Sequence, residues 1–245
     1  MEKASKQHII ADLKKQILGM QGYGTLSIED DVFPQLKLLA KAFPNQHFPL
    51  TGIHEFIANE TEDAAASTGF INAILSALMQ TGGPSIWISA TRNVFPPAMQ
   101  RFALQPDQII FIDLKNHKEI LWVLEEALKC ENLSAVVAEI PELSFSQSRR
   151  LQLVIEKSKV PAFIIRHQPQ QLNNTTCIAR WQIKHLPSIL PDGMPGVGQP
   201  SWSVELLKVR NAQPSSFKLS WNGTCFQNFE QQTEVLQTFR KLQAS

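Results

Sequence analysis

Neither sign of charge is in excess in this chain: 23 Lys and Arg stand against 22 Asp and Glu, a net charge of +1 over 245 residues. A protein that grips nucleic acid over a broad face needs a basic surplus or a basic cluster, so any such contact here must be local or weak. Cysteine is scarce as well. Cys130, Cys177 and Cys225 lie far apart and form no CxxC pair and no Cys/His pair at ligand spacing, so a disulfide framework or a metal site has little support, and no metal is expected. They read as reduced core thiols. The stretch "HEFIA" at 54–58 begins like a zinc-protease helix, but Ala58 stands where H-E-x-x-H needs its second histidine. Long apolar runs are also missing. "MEKASKQHII" has no apolar h-region, and no segment approaches the roughly 20 residues that cross a bilayer. The chain is therefore expected to be cytoplasmic, without membrane contact, and the N-x-Ser/Thr matches at Asn59, Asn132, Asn174 and Asn222 are chance occurrences.

What is present is an ordinary globular balance, 43% hydrophobic and 18% charged residues, on a chain long enough for one large core with appendages. "KQHIIADLKKQIL" puts Ile9, Ile10, Leu13 and Ile17 on one stripe and lysines on other faces, an amphipathic helix. The glycines of "GMQGYGTLS" follow it as a flexible hinge, so that stripe either docks elsewhere or packs on its own domain. From residue 52 onward, short apolar runs ("GIHEFI", "SIWISA", "IIFIDL", "AVVAEI", "AFIIRH") alternate with helical patterns ("INAILSALMQ", "KEILWVLEEALKC", "SRRLQLVIEKS"). That alternation predicts an α/β fold with a mostly parallel sheet covered by helices, whose ligands gather beyond the carboxyl ends of the strands.

After residue 170 the pattern changes. "CIARWQI" alternates, with Cys177, Ala179, Trp181 and Ile183 on one side and Arg180 and Gln182 on the other, as in a half-exposed antiparallel strand. "SFKLSWNGTCF" alternates through Phe217, Leu219 and Trp221 into the Asn222-Gly223 hairpin signal. "LPSILPDGMPGVGQPSW" between them reads as a long loop. "NFEQQTEVLQTFRKLQ" closes the chain as a polar helix with Val235, Leu236, Phe239 and Leu242 as its buried side. The organisation expected is an N-terminal helix and hinge over 1–22, a core over 23–226 and a C-terminal helix or tail over 227–245.

This order of elements resembles the RecA-like ATPase core. More specifically, "FPNQHFPLTGIHEF", "EDAAASTGFINAIL", "FPPAMQRFALQPDQIIFIDLK", "EEALKCENLSAVVAEI", "DGMPGVGQPSWSVELLKVRN" and "SFKLSW" resemble the ImuA family of RecA-related proteins from damage-inducible mutagenesis operons. The resemblance implies an SOS-induced accessory factor for error-prone translesion DNA synthesis, at the nucleoid during DNA damage. Its implied partners are RecA, an ImuB-type polymerase homologue and a replicative-type polymerase subunit, with self-association left open.

In the RecA-type pattern an eight-residue loop begins with Gly and ends in Gly-Lys-Thr, so that backbone N–H groups, a lysine and a hydroxyl hold the phosphates and magnesium. The matching positions are Ala58, Asn59, Glu60, Thr61, Glu62, Asp63, Ala64 and Ala65. Both glycines, the lysine and the terminal hydroxyl are gone. Each of the three carboxylates in their place repels a triphosphate by about 1 to 4 kcal/mol at contact distance. The water-orienting acid expected after the second core strand, in "WISATRN", falls on Thr91 or its neighbours, which are not acidic, and Glu139 matches the magnesium-holding acid with no phosphate loop beside it. The expectation is a degenerate nucleotide site, no cofactor and no catalysis, with Glu62 or Asp63 serving as N-cap and first-turn acid of the following helix. Recombinases of this type hold single-stranded DNA with loops that correspond to "PELSFSQSRR" and "RHQPQQLNNTTC". Arg149, Arg150, Arg166, His167 and Arg180 either form a modest basic patch there, giving weak, salt-sensitive, nonspecific binding, or are solvated charges at helix and strand ends. Candidate partner surfaces are the stripe Ile9, Leu13 and Ile17 and the C-terminal Leu236 and Phe239. Two other functional classes stand beside the accessory role: a DNA-dependent ATPase or recombinase, and a SulA-like division inhibitor.

Overall fold

The structure is a computed structural model that describes residues 33–80, 82–189 and 198–229. Ile9, Leu13, Ile17, Leu236 and Phe239 lie outside the described residues, as does the Pro/Gly stretch 191–197.

Five short apolar runs form a parallel array: β1 (Ile53–Ala58), β2 (Ser85–Ser89), β3 (Ile109–Asp113), β4 (Ala135–Glu139) and β5 (Ala162–His167). Their lateral order is β3-β2-β4-β5-β1. The sheet then continues through β6 (Ala179–Ile189), β7 (Gln199–Val209), β8 (Ser215–Trp221) and β9 (Phe226–Asn228). β6 joins β1 in parallel through only three pairs, His54 to Phe56 against Ala179 to Trp181, whereas β6 to β9 pair antiparallel. The expected mostly parallel sheet with an antiparallel C-terminal extension is what forms.

Two sequence expectations need correction in this extension. The loop read over 186–202 is strand at both ends, since β6 runs to Ile189 and β7 starts at Gln199; prolines and glycines hid the ends of a long hairpin. The outward face read for Arg180 is also closed, because Arg180 is 8% exposed and β1 lies alongside it.

Helices cover both faces. The short α1 (Lys37–Ala40) contributes Leu39, and α2 (Thr61–Leu78) is apolar around most of its circumference, burying Phe70, Ile71, Ile74 and Leu75 against Phe56, Trp87, Phe163 and Trp181. A helix buried all round belongs at the centre of a core. After the short α3 (Pro96–Met99), α4 (His117–Leu128) and α5 (Phe145–Ser158) cover the other face. There Ile120, Leu124, Leu128, Leu151 and Ile155 pack on Ile88, Val136 and Ile164. Side chains from alternate positions of β4 and β5 feed the two cores: Val137 and Phe163 one way, Val136 and Ile164 the other. Each fully buried aromatic or branched side chain contributes about 1.5 to 3 kcal/mol.

Parallel register brings the carboxyl ends of the central strands to one edge. Ala58 pairs with His167, and Glu139 with Ile165. That edge holds the candidate site.

Candidate functional site

The turn from β1 into α2 is two residues long. β1 ends at Ala58, Asn59 and Glu60 make the connection, and the helix starts at Thr61. Glu60 has extended backbone (φ −120, ψ 165) and is the N-cap, with no side-chain capping bond, while its carbonyl accepts the N–H of Ala64 at 3.2 Å. The N-cap is therefore two residues earlier than Glu62 and three earlier than Asp63, which sit in the first turn as expected. There they favour the positive end of the helix. Alanine and threonine, without glycine, let the helix begin at once. Of the eight positions expected to match a phosphate loop, the last five, Thr61 to Ala65, are helix.

Beside this turn lies a cavity of about 860 Å3. One wall is a stripe of α2: Thr61, Ala64, Ala65, Thr68, Gly69 and Asn72, the i, i+3, i+4 spacing of a single helical face. The opposite wall is Val94, Phe95 and Phe102, from the segment after β2, and Glu139 and His167 close the strand-end side. Glu139 is 7% exposed and both its oxygens are occupied: Trp87 donates Nε1–H to Oε1 at 2.8 Å, and His167 Nε2 lies 2.9 Å from Oε2. A carboxylate cannot donate, so His167 carries its proton on Nε2. Glu139 is thus tied to an indole and an imidazole. Thr91 sits in the exposed segment after β2, with Asn93 donating to its carbonyl at 2.9 Å and to its hydroxyl at 3.3 Å. Next to it, Arg92 pairs with Asp113 at 2.7 Å.

The five residues read as a basic patch do not share a face. Arg166 has a fully buried side chain that donates to Glu142 at 2.9 Å and to the carbonyl of Gln171 at 3.1 Å. Arg180 donates to Glu55 at 2.7 Å and to the carbonyl of Asn173 at 2.8 Å. Arg150 pairs with Glu125 at 2.6 Å across the groove between α4 and α5, beside Trp122. Arg149 is exposed on α5, and His167 belongs to the cavity. Two of the four arginines are therefore structural counter-ions, and a third has its charge matched. The carboxylates they meet, Glu55, Glu125 and Glu142, are distant in sequence and give no local signal.

"HEFIA" is structural too. His54 is fully buried, stacked on Phe48 with centroids 5.0 Å apart, with Nε2 2.7 Å from the Pro49 carbonyl and Nδ1 accepting from Trp181 at 3.3 Å. Burial lowers its pKa from 6.5 to about 4. Cys177, buried beside this region, has its thiol pKa pushed up by burial and by the charge of Glu55. Among the described residues no group of His, Cys, Asp and Glu is placed to hold a metal, and no helix is long and apolar enough to cross a membrane.

No family model matches the chain. It is 28% identical over 189 residues to Protein ImuA from two strains of Caulobacter vibrioides, an alignment that spans 72% of this chain and 78% of each relative. In structure it is similar to the RadB recombinase, with a TM-score of 0.50 at 13% identity, covering 73% of this chain and 90% of that one. The chain is thus similar to ImuA over most of its length, on a fold similar to that of a RecA-like recombinase.

Proposed function

We propose that the protein is a non-catalytic RecA-like scaffold in error-prone translesion DNA synthesis, linking RecA on damaged DNA to an ImuB-type polymerase homologue. The observation that carries this reading is the two-residue turn between β1 and α2. A phosphate loop works by wrapping backbone N–H groups around a triphosphate. Here the chain turns directly into helix, with Glu60, Glu62 and Asp63 at its start, so neither the wrap nor the counter-charge is supplied. Occupation of Glu139 by Trp87 and His167 and the absence of an acid at Thr91 support the same reading. The similarity to ImuA over 72% of the chain supplies the translesion context.

In this reading function lies in surfaces. The stripe Ile9, Leu13 and Ile17 on the segment 1–22 is the first partner surface, Leu236 and Phe239 on 227–245 the second, and 23–226 the core that holds them. Direct DNA contact is secondary, because Arg166 and Arg180 are neutralised internally; Arg149 remains as a weak, nonspecific contributor. The test is pull-down of RecA and of the polymerase homologue with full-length protein carrying Ile9→Asp, Leu13→Asp and Ile17→Asp together. Loss of one partner with an unchanged melting temperature is expected; capture of both partners as by the unsubstituted protein would remove the N-terminal stripe from the account.

A further inference from the structure

We infer that the outer face of α4 and α5 binds a helix of a partner protein whose contact side carries apolar residues flanked by Asp or Glu. This extends the scaffold reading to the side of the sheet opposite α2 and the strand-end cavity. Phe145, Arg149, Leu153 and Lys157 follow one another at four-residue spacing along α5, so they form one ridge in which apolar and cationic side chains alternate about 6 Å apart. The ridge stands in solvent. Phe145 is 58% and Leu153 47% exposed, and Arg149 and Lys157 are exposed with them. The solvent side of a surface helix is normally polar, and α5 already meets its own packing need through Leu151 and Ile155 on its other side. Beside the ridge runs the groove between the two helices, about 210 Å3 in volume, where Leu121 and Trp122 of α4 face Arg150 and Leu151 of α5. Trp122 is 61% exposed there. Trp122, Phe145 and Leu153 thus make one apolar patch instead of three isolated side chains, the arrangement that marks an interaction surface.

The charge of α5 fixes what can cover this patch. Over 145–159, Arg149, Arg150, Lys157 and Lys159 stand against Glu156, four cations to one acid, in a chain whose total is +1. Glu156 accepts from Gln152 at 3.4 Å, and Arg150 is matched by Glu125 at 2.6 Å, whereas among the described residues Arg149 and Lys157 pair with no carboxylate. Carboxylates are therefore what the ridge leaves room for, and Leu or Phe is what the groove leaves room for. A helix offers both at the same four-residue spacing and packs its ridge into the groove. A nucleic-acid strand fits less well. It carries a phosphate at every nucleotide, and on the α4 side these would meet Glu119 and Glu126, both exposed one turn from Trp122. A protein helix can place its acids over α5 alone.

The experiment is titration of the full-length protein with an acetylated and amidated peptide of about 18 residues, long enough to be helical, with a Leu stripe flanked by Glu on an Ala background. Trp122 reports on it directly. The other four tryptophans, Trp87, Trp181, Trp202 and Trp221, are 0 to 3% exposed, so acrylamide quenching reads the accessibility of Trp122. The peptide is expected to protect Trp122 with Kd on the order of 0.1 mM. Arg149→Glu combined with Lys157→Glu is expected to weaken this by at least about tenfold at unchanged melting temperature, and to accept the peptide in which Lys replaces Glu. Lys41→Gln, on the other side of the sheet, leaves binding unaltered. No protection at about 2 mM peptide, binding that survives the double charge reversal, or equal binding of a Gln-for-Glu peptide would overturn the assignment. So would protection by oligothymidylate at lower concentration than by the peptide, which would give the face to nucleic acid, or protection that rises with protein concentration alone, which would give it to a second copy. ATP binding at the cavity would sink the scaffold reading and leave this titration as it stands, so the two failures are distinct.

Discussion

His54 shows how a single buried group sets a pH limit on this fold. Its ring is neutral because burial opposes the charged form, and its two nitrogens are committed to Pro49 and Trp181. Unfolded, the same ring titrates at its ordinary value of 6.5, against about 4 folded. Between those values the unfolded chain binds the extra proton, so stability is complete above 6.5 and is lost as pH falls toward 4, by about 3 kcal/mol in all. Urea titrations at pH 7, 5.5 and 4.5 are expected to show this slope, and His54→Gln is expected to flatten it while lowering stability at pH 7. A slope unchanged by the substitution would place the acid sensitivity elsewhere. The second residue-scale test concerns Arg180 and Glu55, paired at 2.7 Å with side chains 9% and 0% exposed. Arg180→Met leaves Glu55 charged and buried, at a cost of about 3 to 5 kcal/mol, while Arg180→Met combined with Glu55→Leu recovers most of it. A double variant as unstable as the single would show that packing, not charge, is what Arg180 supplies. Neither role was legible in the sequence. An arginine alternating with apolar neighbours looks solvent-facing until the strand beside it is known, and that strand lies 125 residues away.

At the scale of elements, the sequence was most legible where one local signal sufficed. The apolar runs at 85, 109, 135 and 162 are β2 to β5 within a residue or two; β2, β4 and β5 read as continuous apolar runs because they are buried on both faces, while β3 is an apolar edge strand that is partly exposed. The hairpin at Asn222-Gly223 follows from Gly223 at φ +102, a conformation glycine adopts without strain. α5 begins at a capping box in which Ser144 accepts from the Gln147 N–H and Gln147 returns the bond to the Ser144 N–H. Ser144→Ala is expected to cost about 1 kcal/mol in a thermal or urea melt; no measurable change would mean that packing alone fixes the start of α5. Legibility failed where tertiary partners decide. The three-pair parallel contact of β6 with β1 has no sequence signature, and the aromatic layer of Phe43 and Phe48 over His54 and Trp181 depends on a segment whose helical turns are too short to show a period. The start of α2 was half legible: Glu62 and Asp63 announce the acids of its first turn, but not that Glu60 becomes the N-cap.

For the molecule as a whole, the sheet has a RecA-like fold, and at the edge where its parallel strands end the chain passes from β1 into α2 through two residues. The fold keeps its reason to exist in two cores, one around α2 and one beneath α4 and α5, neither of which needs a bound nucleotide. We propose that this edge, where the cavity lies, no longer takes nucleotide. Everything proposed about partners depends on this loss being real, so the most direct measurement is calorimetric titration of the full-length protein with ATP and magnesium, at concentrations that detect millimolar binding. The account predicts no heat beyond dilution, with or without single-stranded DNA. A one-to-one isotherm that disappears when Glu60, Thr61 and Ala64 are changed to bulky side chains would contradict it and return the cavity to nucleotide chemistry.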